Sequence, residues 1–164
     1  MEWRTLFLSA EGRIGQKDFW LGALMLFVAG VLTSVLHLLA PLVWLLLIYP
    51  WVCILAKRLH DFGKSGWLIL VPFVVGCVAL VMATIFGGVS AVAAFMSAGS
   101  DWTEPHAWGL FLGALGVALG FLAVAGLVKI VFLLWVGLHR GDPGANTYGP
   151  PPASLTSPAP TTAS

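Results

Sequence analysis

The side chains best suited to chemistry lie in one short polar segment, KRLHDFGKSGW, at residues 57–67. His60 and Asp61 are candidates for a general acid and base, and Ser65 is a candidate nucleophile. Closeness in sequence does not establish a hydrogen-bonded line of nucleophile, base and orienting acid. An enzyme that uses His60 and Asp61 is therefore kept as an alternative, and no residue is assigned as catalytic.

Metal, phosphate and nucleic-acid chemistry fit this segment less well. A divalent ion needs several convergent imidazole or carboxylate ligands, and His60 and Asp61 have too few partners nearby. The string GKS at 63–65 resembles the end of a phosphate-binding P-loop, but Arg58 occupies the required upstream glycine position. We expect no metal and no cofactor. The few cations also make nucleic acid an unsuitable partner.

Long apolar stretches flank the polar segment and must position it. The chain has 164 residues, of which 59% are hydrophobic and 9% charged, and its mean hydropathy is +0.96. Such a chain has too little polar surface to cover a soluble globule. Lipid offers no hydrogen bonds to bare backbone, and no alternation of period two supports a barrel. The sequence therefore predicts an all-α integral membrane protein.

Apolar length and the breaks between apolar runs predict four transmembrane helices. Their approximate bounds are 19–37, 41–57, 67–94 and 107–136. Residues 1–150 would then form a single polytopic membrane domain, with a turn around residues 37–41. The segment 151–164 is rich in Pro, Ser and Thr, which predicts a disordered tail.

The distribution of cations predicts the orientation. In a four-span topology one side receives Arg4, Arg13, Lys17, Lys57, Arg58, Lys64 and Arg140. The opposite loops carry only Asp101 and Glu104 as charged residues. Because Lys and Arg accumulate on the cytoplasmic side, both termini are predicted to be cytoplasmic. Lys129 lies within the last span, and we expect its stem to carry the ammonium toward the headgroups.

Small residues recur at helical spacing in the third and fourth predicted helices. The two sets are Gly76, Ala79, Ala83, Gly87 and Ala94, and Gly109, Gly113, Gly116, Gly120 and Ala123. Such faces let helix backbones approach closely, so we expect the two sets to pack on each other. A narrow pore lined by glycine is the alternative, but no polar side chains accompany the glycines.

A folded polar cluster is expected where the polar segment meets its neighbours. Setting the topology requires only Lys and Arg, whereas His60, Asp61 and Ser65 add directional donors and acceptors. We predict that Asp61 pairs with Arg58 or Arg13. The candidate residues of a polar cap or headgroup-binding site are Arg13, Arg58, His60, Asp61, Lys64, Ser65, Trp67 and Asn146.

Three pieces of sequence together resemble a known family. They are GRIGQKDFW at 12–20, KRLHDFGKSGW at 57–67 and NTYG at 146–149. Their order and spacing resemble the bacterial inner-membrane family DUF805, over nearly the whole chain up to the tail. The resemblance implies a multi-pass protein of the bacterial inner (plasma) membrane, in a family whose activity is not established. It supplies no catalytic residues.

The match to the family pattern is uneven along these pieces. Lys57 stands where the family often has a second arginine, and the pair at 15–16 stands where serine and arginine are common. The matching polar positions are Arg13, Arg58, His60 and Asp61.

The first functional hypothesis is a non-enzymatic membrane protein whose cytoplasmic polar cap binds anionic lipid headgroups or a protein partner. The expected partners are membrane lipids, including anionic phospholipid, and a membrane protein or a second copy. One alternative is a component of a small-solute or ion transporter or channel, although the predicted spans lack the acidic residues that coupled transport usually needs. Another is a small membrane-embedded enzyme acting at the cytoplasmic interface.

Overall fold

The computed structural model describes residues 3–35, 40–98 and 105–152, and the fold of these residues is helical. The helices are α1 (Trp3–Leu8), α2 (Gln16–Ser34), α3 (Ala40–Asp61), α4 (Leu70–Met82), α5 (Gly88–Ala98) and α6 (Pro105–Leu138). A 3₁₀ turn, Gly66–Ile69, precedes α4, and a π-helical turn, Ala83–Gly87, joins α4 to α5. The described residues contain no β-strand, only an isolated bridge between Asn146 and Gly149. The all-α prediction is confirmed.

Three helical stretches among the described residues are long and apolar enough to cross a membrane. They are Pro41–Asp61, Gly66–Ser97 and Trp108–Leu138. The helix α2 is not among them, and it begins with Gln16, Lys17 and Asp18, which lower its mean hydropathy. Three of the four predicted spans are thus supported by length and composition.

Some predictions concern parts of the chain outside the described residues. These parts are most of the predicted turn at 37–41, the loop with Asp101 and Glu104, and residues 153–164 of the predicted tail. The division into one membrane domain and a tail stays a prediction.

The helix α3 is longer than predicted and includes the first half of the polar segment. The predicted end was residue 57, but α3 continues to Asp61 because Lys, Arg and Leu are good helix formers. The helix stops at Gly63, whose φ of +70° only glycine adopts readily. The Gly63 N–H bonds to the His60 carbonyl (3.1 Å) and the Lys64 N–H to the Leu59 carbonyl (2.9 Å), which is a Schellman motif.

The chain forms two compact units, of which the first comprises Met1–Ile69 and Leu134–Ser164. In this unit α2 packs antiparallel against α3. A Cβ built on Gly22 would lie 3.6 Å from Ile54, and one built on Gly30 would lie 3.3 Å from Trp44. Close contact at both ends indicates that α2 accompanies α3 over most of its length.

The short helix α1 lies against α3 and is held by polar contacts. The Tyr49 hydroxyl donates to the Leu8 carbonyl at 2.9 Å, and the Lys57 ammonium donates to the Thr5 carbonyl. Lys57 is only 2% exposed. It therefore satisfies backbone carbonyls of α1, which have no partner within so short a helix.

The second unit comprises Leu70–Leu133, and its helices pack through small residues. On the α4 and α5 side the buried small residues are Ala79, Ala83, Gly87 and Ala94. A Cβ built on Gly87 would lie 3.1 Å from the Cβ of Ala118. This half of the predicted small-residue contact is confirmed.

The face that α6 uses in the second unit differs from the predicted one. Its buried small residues are Ala114 and Ala125. Cβ atoms built on Gly109, Gly113, Gly116 and Gly120 would have no neighbour within 4 Å. The predicted glycine stripe of α6 is therefore wrong as an internal contact. The helix carries small residues on two faces, and spacing alone does not reveal which face meets a neighbour.

Candidate functional site

Three separate parts of the first unit converge on Asp61, two on its carboxylate and one on its backbone carbonyl. They are the segment before α2, the end of α3 and the segment after α6, represented by Arg13, Arg58 and Asp142. Arg13, Arg58 and Asp61 are 7%, 1% and 3% exposed. The arrangement is a buried cluster of two guanidinium groups around one carboxylate, referred to below as the Arg–Asp–Arg cluster.

Arg13 approaches Asp61 from the segment before α2. Its Nε and Nη2 donate to Asp61 Oδ1 at 3.1 and 3.0 Å, and Nη2 also donates to the Asp61 carbonyl at 3.0 Å. The other bonds go to carbonyls after α6. Asp142 accepts from Nη2 at 2.6 Å, while Gly144 and Gly149 accept from Nη1 at 2.7 and 3.3 Å. All three guanidinium nitrogens are engaged within the protein.

Arg58 lies one turn before Asp61 on α3 and reaches the other carboxylate oxygen. Its Nη1 donates to Asp61 Oδ2 and, at 3.5 Å, to the Ile14 carbonyl. Its Nε donates to the Val136 carbonyl at 3.2 Å, and its Nη2 donates to the His139 carbonyl. Carbonyls at a helix C-terminus lack intrahelical partners, so Arg58 also caps α6.

The charges of the cluster do not cancel among side chains. Two guanidinium groups face one carboxylate, and burying a charge without a partner costs several kcal/mol. The surplus positive charge meets backbone carbonyls, including those at the end of α6, where the helix dipole is negative. Every buried side-chain nitrogen and oxygen in the described part of the chain has a hydrogen-bond partner. The cluster is thus fully satisfied.

The segment after α6 folds around Asn146. The Asp142 N–H donates to the Asp61 carbonyl at 2.8 Å. The Asn146 amide donates to the His60 carbonyl at 2.9 Å and to Asp142 Oδ2 at 3.0 Å, and its Oδ1 accepts the Tyr148 N–H at 2.9 Å. One side chain therefore fixes both its own turn and the end of α3.

His60 lies on the outer side of the cluster and packs against an aromatic ring. The imidazole stacks on Tyr148 with centroids 3.9 Å apart and planes 5° apart. Its Nδ1 lies 3.3 Å from the Gly12 carbonyl. The ring therefore joins the same three segments as the arginines, by stacking rather than by charge.

Gly141 allows the segment after α6 to pass directly over Asp61. A Cβ built at this position would lie 2.7 Å from Asp61 Cγ, a distance that real side chains do not adopt. Any larger residue must displace the carboxylate or the backbone. Glycine is needed here for lack of space rather than for backbone conformation.

Three of the predicted site residues are not part of the cluster. Lys64, Ser65 and Trp67 follow the end of α3 and are exposed, Trp67 by 78%. The Ser65 hydroxyl only accepts the Trp67 N–H at 3.3 Å. The structure brings together the other five, namely Arg13, Arg58, His60, Asp61 and Asn146.

Sequence reasoning missed four residues of this region: Lys57 as a buried contact of α1, Gly141, Asp142 and Tyr148. Tyr148 belongs to the NTYG piece, and its position in that piece was the available signal. Gly141 and Asp142 gave no such signal. Gly141 matters because it has no side chain, and Asp142 contacts Asp61 and Arg13 through its backbone N–H and carbonyl.

The Asp61 carboxylate is fully engaged by the two arginines. Both oxygens of Asp61 accept from guanidinium groups, so this carboxylate is not free to take a proton from a substrate. No group of three or more His, Cys, Asp or Glu side chains able to hold a metal occurs within residues 3–35, 40–98 and 105–152. The cluster is a junction that holds together the segment before α2, the end of α3 and the segment after α6.

The described residues define an all-helical protein with three stretches long and apolar enough to cross a membrane and a buried polar cluster at the end of α3. The chain belongs to the family described as "Protein of unknown function (DUF805)", whose model matches residues 7–150. The uncharacterized protein YiiR of Escherichia coli K12 is 27% identical over 150 residues, which cover 86% of this chain and 84% of the relative. YiiR of Escherichia coli O157:H7 has the same identity and coverage. No solved structure matches.

Proposed function

We propose that the chain is a multi-pass protein of the bacterial inner membrane with four spans. The fourth span is α2, which runs antiparallel beside α3 from the Gly22–Ile54 contact to the Gly30–Trp44 contact. Its 19 residues extend about 28 Å, close to the thickness of a hydrocarbon core. The bacterial relatives support the assignment to a bacterial membrane.

Convergence at Asp61 supports an even number of crossings. The segment before α2, the end of α3 and the end of α6 meet there, so these three points lie on one side of the membrane. Two crossings are then needed between Arg13 and Asp61, and two more between Asp61 and Asp142. Because most Lys and Arg lie at these points, we assign this side to the cytoplasm, with both termini.

In this topology the chain is a non-enzymatic membrane protein that carries a folded polar cap, defined as residues 11–17, 57–67 and 139–149. The observation that carries this proposal is the Arg–Asp–Arg cluster, which joins all three segments and leaves no guanidinium nitrogen free. The buried arginines hold the cap together, and binding is the task of its exposed rim. The rim consists of Lys17, Lys64, Trp67 and Arg140.

The rim suits an anionic membrane surface. Lys and Arg beside a cytoplasmic leaflet each contribute about 1 kcal/mol to the attraction of anionic lipid. An indole such as that of Trp67 partitions to the headgroup level. We therefore propose anionic phospholipid headgroups as the ligand of the rim, with a protein partner as the competing occupant.

The test is retention of phospholipid by the full-length protein in neutral detergent, followed by native mass spectrometry. The parent should retain phosphatidylglycerol in preference to phosphatidylcholine. The double variant Lys64→Gln with Arg140→Gln should retain about thirtyfold less, since each of the two cations contributes about 1 kcal/mol. Thr147→Ala, an exposed and uncharged change in the cap, is the control and should behave as the parent. Equal retention of phosphatidylglycerol by the double variant and the parent would show that the rim does not bind lipid.

A further inference from the structure

Lys129 is an exposed cation inside an apolar helix of the second unit. It lies within the span Trp108–Leu138, nine residues before the end of α6, or about 14 Å along the helix axis. That span has 31 residues and is about 46 Å long, roughly 16 Å more than a hydrocarbon core. A bilayer centred on it would place Lys129 about 6 Å inside the hydrocarbon boundary, in the leaflet nearer Arg140.

The end of the Lys129 side chain lies against Gly76 of the neighbouring helix. A Cβ built on Gly76 of α4 would be 3.3 Å from Lys129 Cε and 3.4 Å from Nζ. The contact between Gly87 and Ala118 sets the antiparallel register, because eleven residues separate Gly76 from Gly87 and Ala118 from Lys129. The stem therefore lies across α4 at its own level and does not extend along α6 toward the headgroups, as the sequence had suggested.

No carboxylate among the described residues of the second unit, 70–98 and 105–133, can neutralise this ammonium. The seven acidic residues of the chain are Glu2, Glu11, Asp18, Asp61, Asp101, Glu104 and Asp142. None lies in α4, α5 or α6, so a second copy packed alongside would not supply a carboxylate from these spans either. A charge without a partner costs about 2.5 to 3.5 kcal/mol at the centre of the bilayer and less nearer its boundary. An anion supplied by the membrane would offset this cost.

We propose that the notch formed by Gly76 and Lys129 is an anion site that receives the phosphate of an anionic phospholipid from the cytoplasmic leaflet. The leaflet assignment rests on the proposed topology. The depth suits a lipid, because a headgroup needs to descend only a few ångströms and its acyl chains remain in hydrocarbon. Basic sites between transmembrane helices on the cytoplasmic side bind headgroups in this manner. The absence of a side chain at Gly76 lets the Lys129 stem lie against α4 while Lys129 stays exposed to a headgroup.

The test is native mass spectrometry of the full-length protein titrated with phosphatidylglycerol or phosphatidylcholine. Lys129→Gln removes the charge, and Gly76→Leu fills the notch while the charge is kept. Each should lower phosphatidylglycerol retention about fivefold or more, with no change for phosphatidylcholine. Lys129→Arg should retain the lipid. Thr147→Ala is the control, and the rim variant Lys64→Gln with Arg140→Gln is measured in parallel because it removes exposed cations outside the notch.

The outcomes separate this site from the rim. Phosphatidylglycerol retention that falls with the Lys129 and Gly76 variants supports the notch, even if the rim variant has no effect. Retention that falls only with the rim variant overturns the notch and leaves the proposed function standing. A parent that shows no preference for phosphatidylglycerol overturns both. Lys129-dependent retention of a polypeptide in place of lipid overturns the lipid assignment.

The thermal stability of the Lys129 and Gly76 variants in detergent shows whether they are folded. Lys129→Gln removes a charge from an apolar helix and should not lower thermal stability in detergent. If Gly76→Leu unfolds the protein, Gly76→Ala takes its place, since its Cβ would sit 3.3 Å from Lys129 Cε and displace the stem. A folded Lys129→Gln protein with parental lipid retention is sufficient to reject the site.

Discussion

Asp61 is the acceptor on which two buried guanidinium groups converge. Removing its charge leaves Arg13 and Arg58 buried without an anion, and breaking such a network costs about 3 to 5 kcal/mol. We therefore expect Asp61→Asn to lower the free energy of unfolding in detergent or bicelles by that amount. The measurement is equilibrium denaturation followed by tryptophan fluorescence.

A second carboxylate in the same cap provides the matched control for this prediction. The Asp142 carboxylate accepts a hydrogen bond only from the Asn146 amide among the described residues. Asp142→Asn should therefore cost about 1 kcal/mol. Double-mutant cycles of Asp61 with Arg13 and with Arg58 then isolate each pairwise energy. Coupling energies within error of zero in both cycles would contradict the cluster.

Gly141 provides a steric test of the same junction. Gly141→Ala would place a methyl group 2.7 Å from Asp61 Cγ, so the carboxylate must move away from its guanidinium partners. Overpacking of this kind costs about 1 to 3 kcal/mol. We expect a corresponding loss of thermal stability.

The control for Gly141 lies three residues further along the chain. A Cβ on Gly144 would meet nothing within 4 Å, so Gly144→Ala should leave stability near the parental value. Similar losses for the two alanine variants would mean that flexibility of the segment, and not space above Asp61, determines the effect.

At the scale of residues the sequence identified the charged centre but not its surroundings. Pairing of Asp61 with an arginine followed from their types, and the structure confirms the pairing with both Arg13 and Arg58. Lys64 and Ser65, predicted for the polar cap, lie outside the Arg–Asp–Arg cluster because the chain turns at Gly63 and directs them outward. Backbone carbonyls such as those after α6 could not be predicted as acceptors, because every residue carries one.

At the scale of elements, helix faces decide which small residues matter. Gly87→Leu should force α6 away from the π-helical turn, because the first added carbon would already lie 3.1 Å from Ala118 and 3.4 Å from the Ala114 carbonyl. We expect a loss of about 1 to 3 kcal/mol in the free energy of unfolding. Thermal unfolding in detergent is the measurement.

The same substitution on the exposed face of α6 tests the alternative. Gly116 has no neighbour within 4 Å of a built Cβ, so Gly116→Leu should be as stable as the parent. A larger loss for Gly116→Leu than for Gly87→Leu would show that the exposed glycine face, and not the alanine face, carries the packing.

The lengths of the elements were predicted only where hydropathy defines them. The end of α3 falls at Asp61 because of the Schellman motif at Gly63, whereas the apolar run stops before Lys57. Hydropathy reports where lipid begins and not where a helix ends. The π-helical turn Ala83–Gly87 was likewise invisible, since its residues are as apolar as their neighbours.

At the scale of the whole molecule, the proposed topology makes a prediction for cysteine labelling. In a Cys53→Ala and Cys77→Ala background, Ala10→Cys and Ser65→Cys should react with an impermeant maleimide only in inverted vesicles. Ser100→Cys should react only in spheroplasts. The reason is that four crossings return the chain to the cytoplasm after every second span.

Ala10 is the position that distinguishes four spans from three. If α2 did not cross, the segment before it would lie outside while Ser65 remained inside. Labelling of Ala10→Cys from outside would therefore contradict the four-span proposal. Labelling of Ser65→Cys from outside would reverse the assigned orientation as well.

The Arg–Asp–Arg cluster can form completely only after most of the chain has been synthesised. Arg13, Arg58 and Asp61 are all translated before residue 62, whereas five of the seven backbone carbonyls that accept from the two arginines belong to residues 136–149. The nascent protein therefore carries two guanidinium groups and one carboxylate until α4, α5 and α6 have been synthesised. Only completion of α6 and the segment after it closes the junction. A ribosome that stops early releases a chain whose cap is open and whose arginines remain available to water, chaperones and proteases.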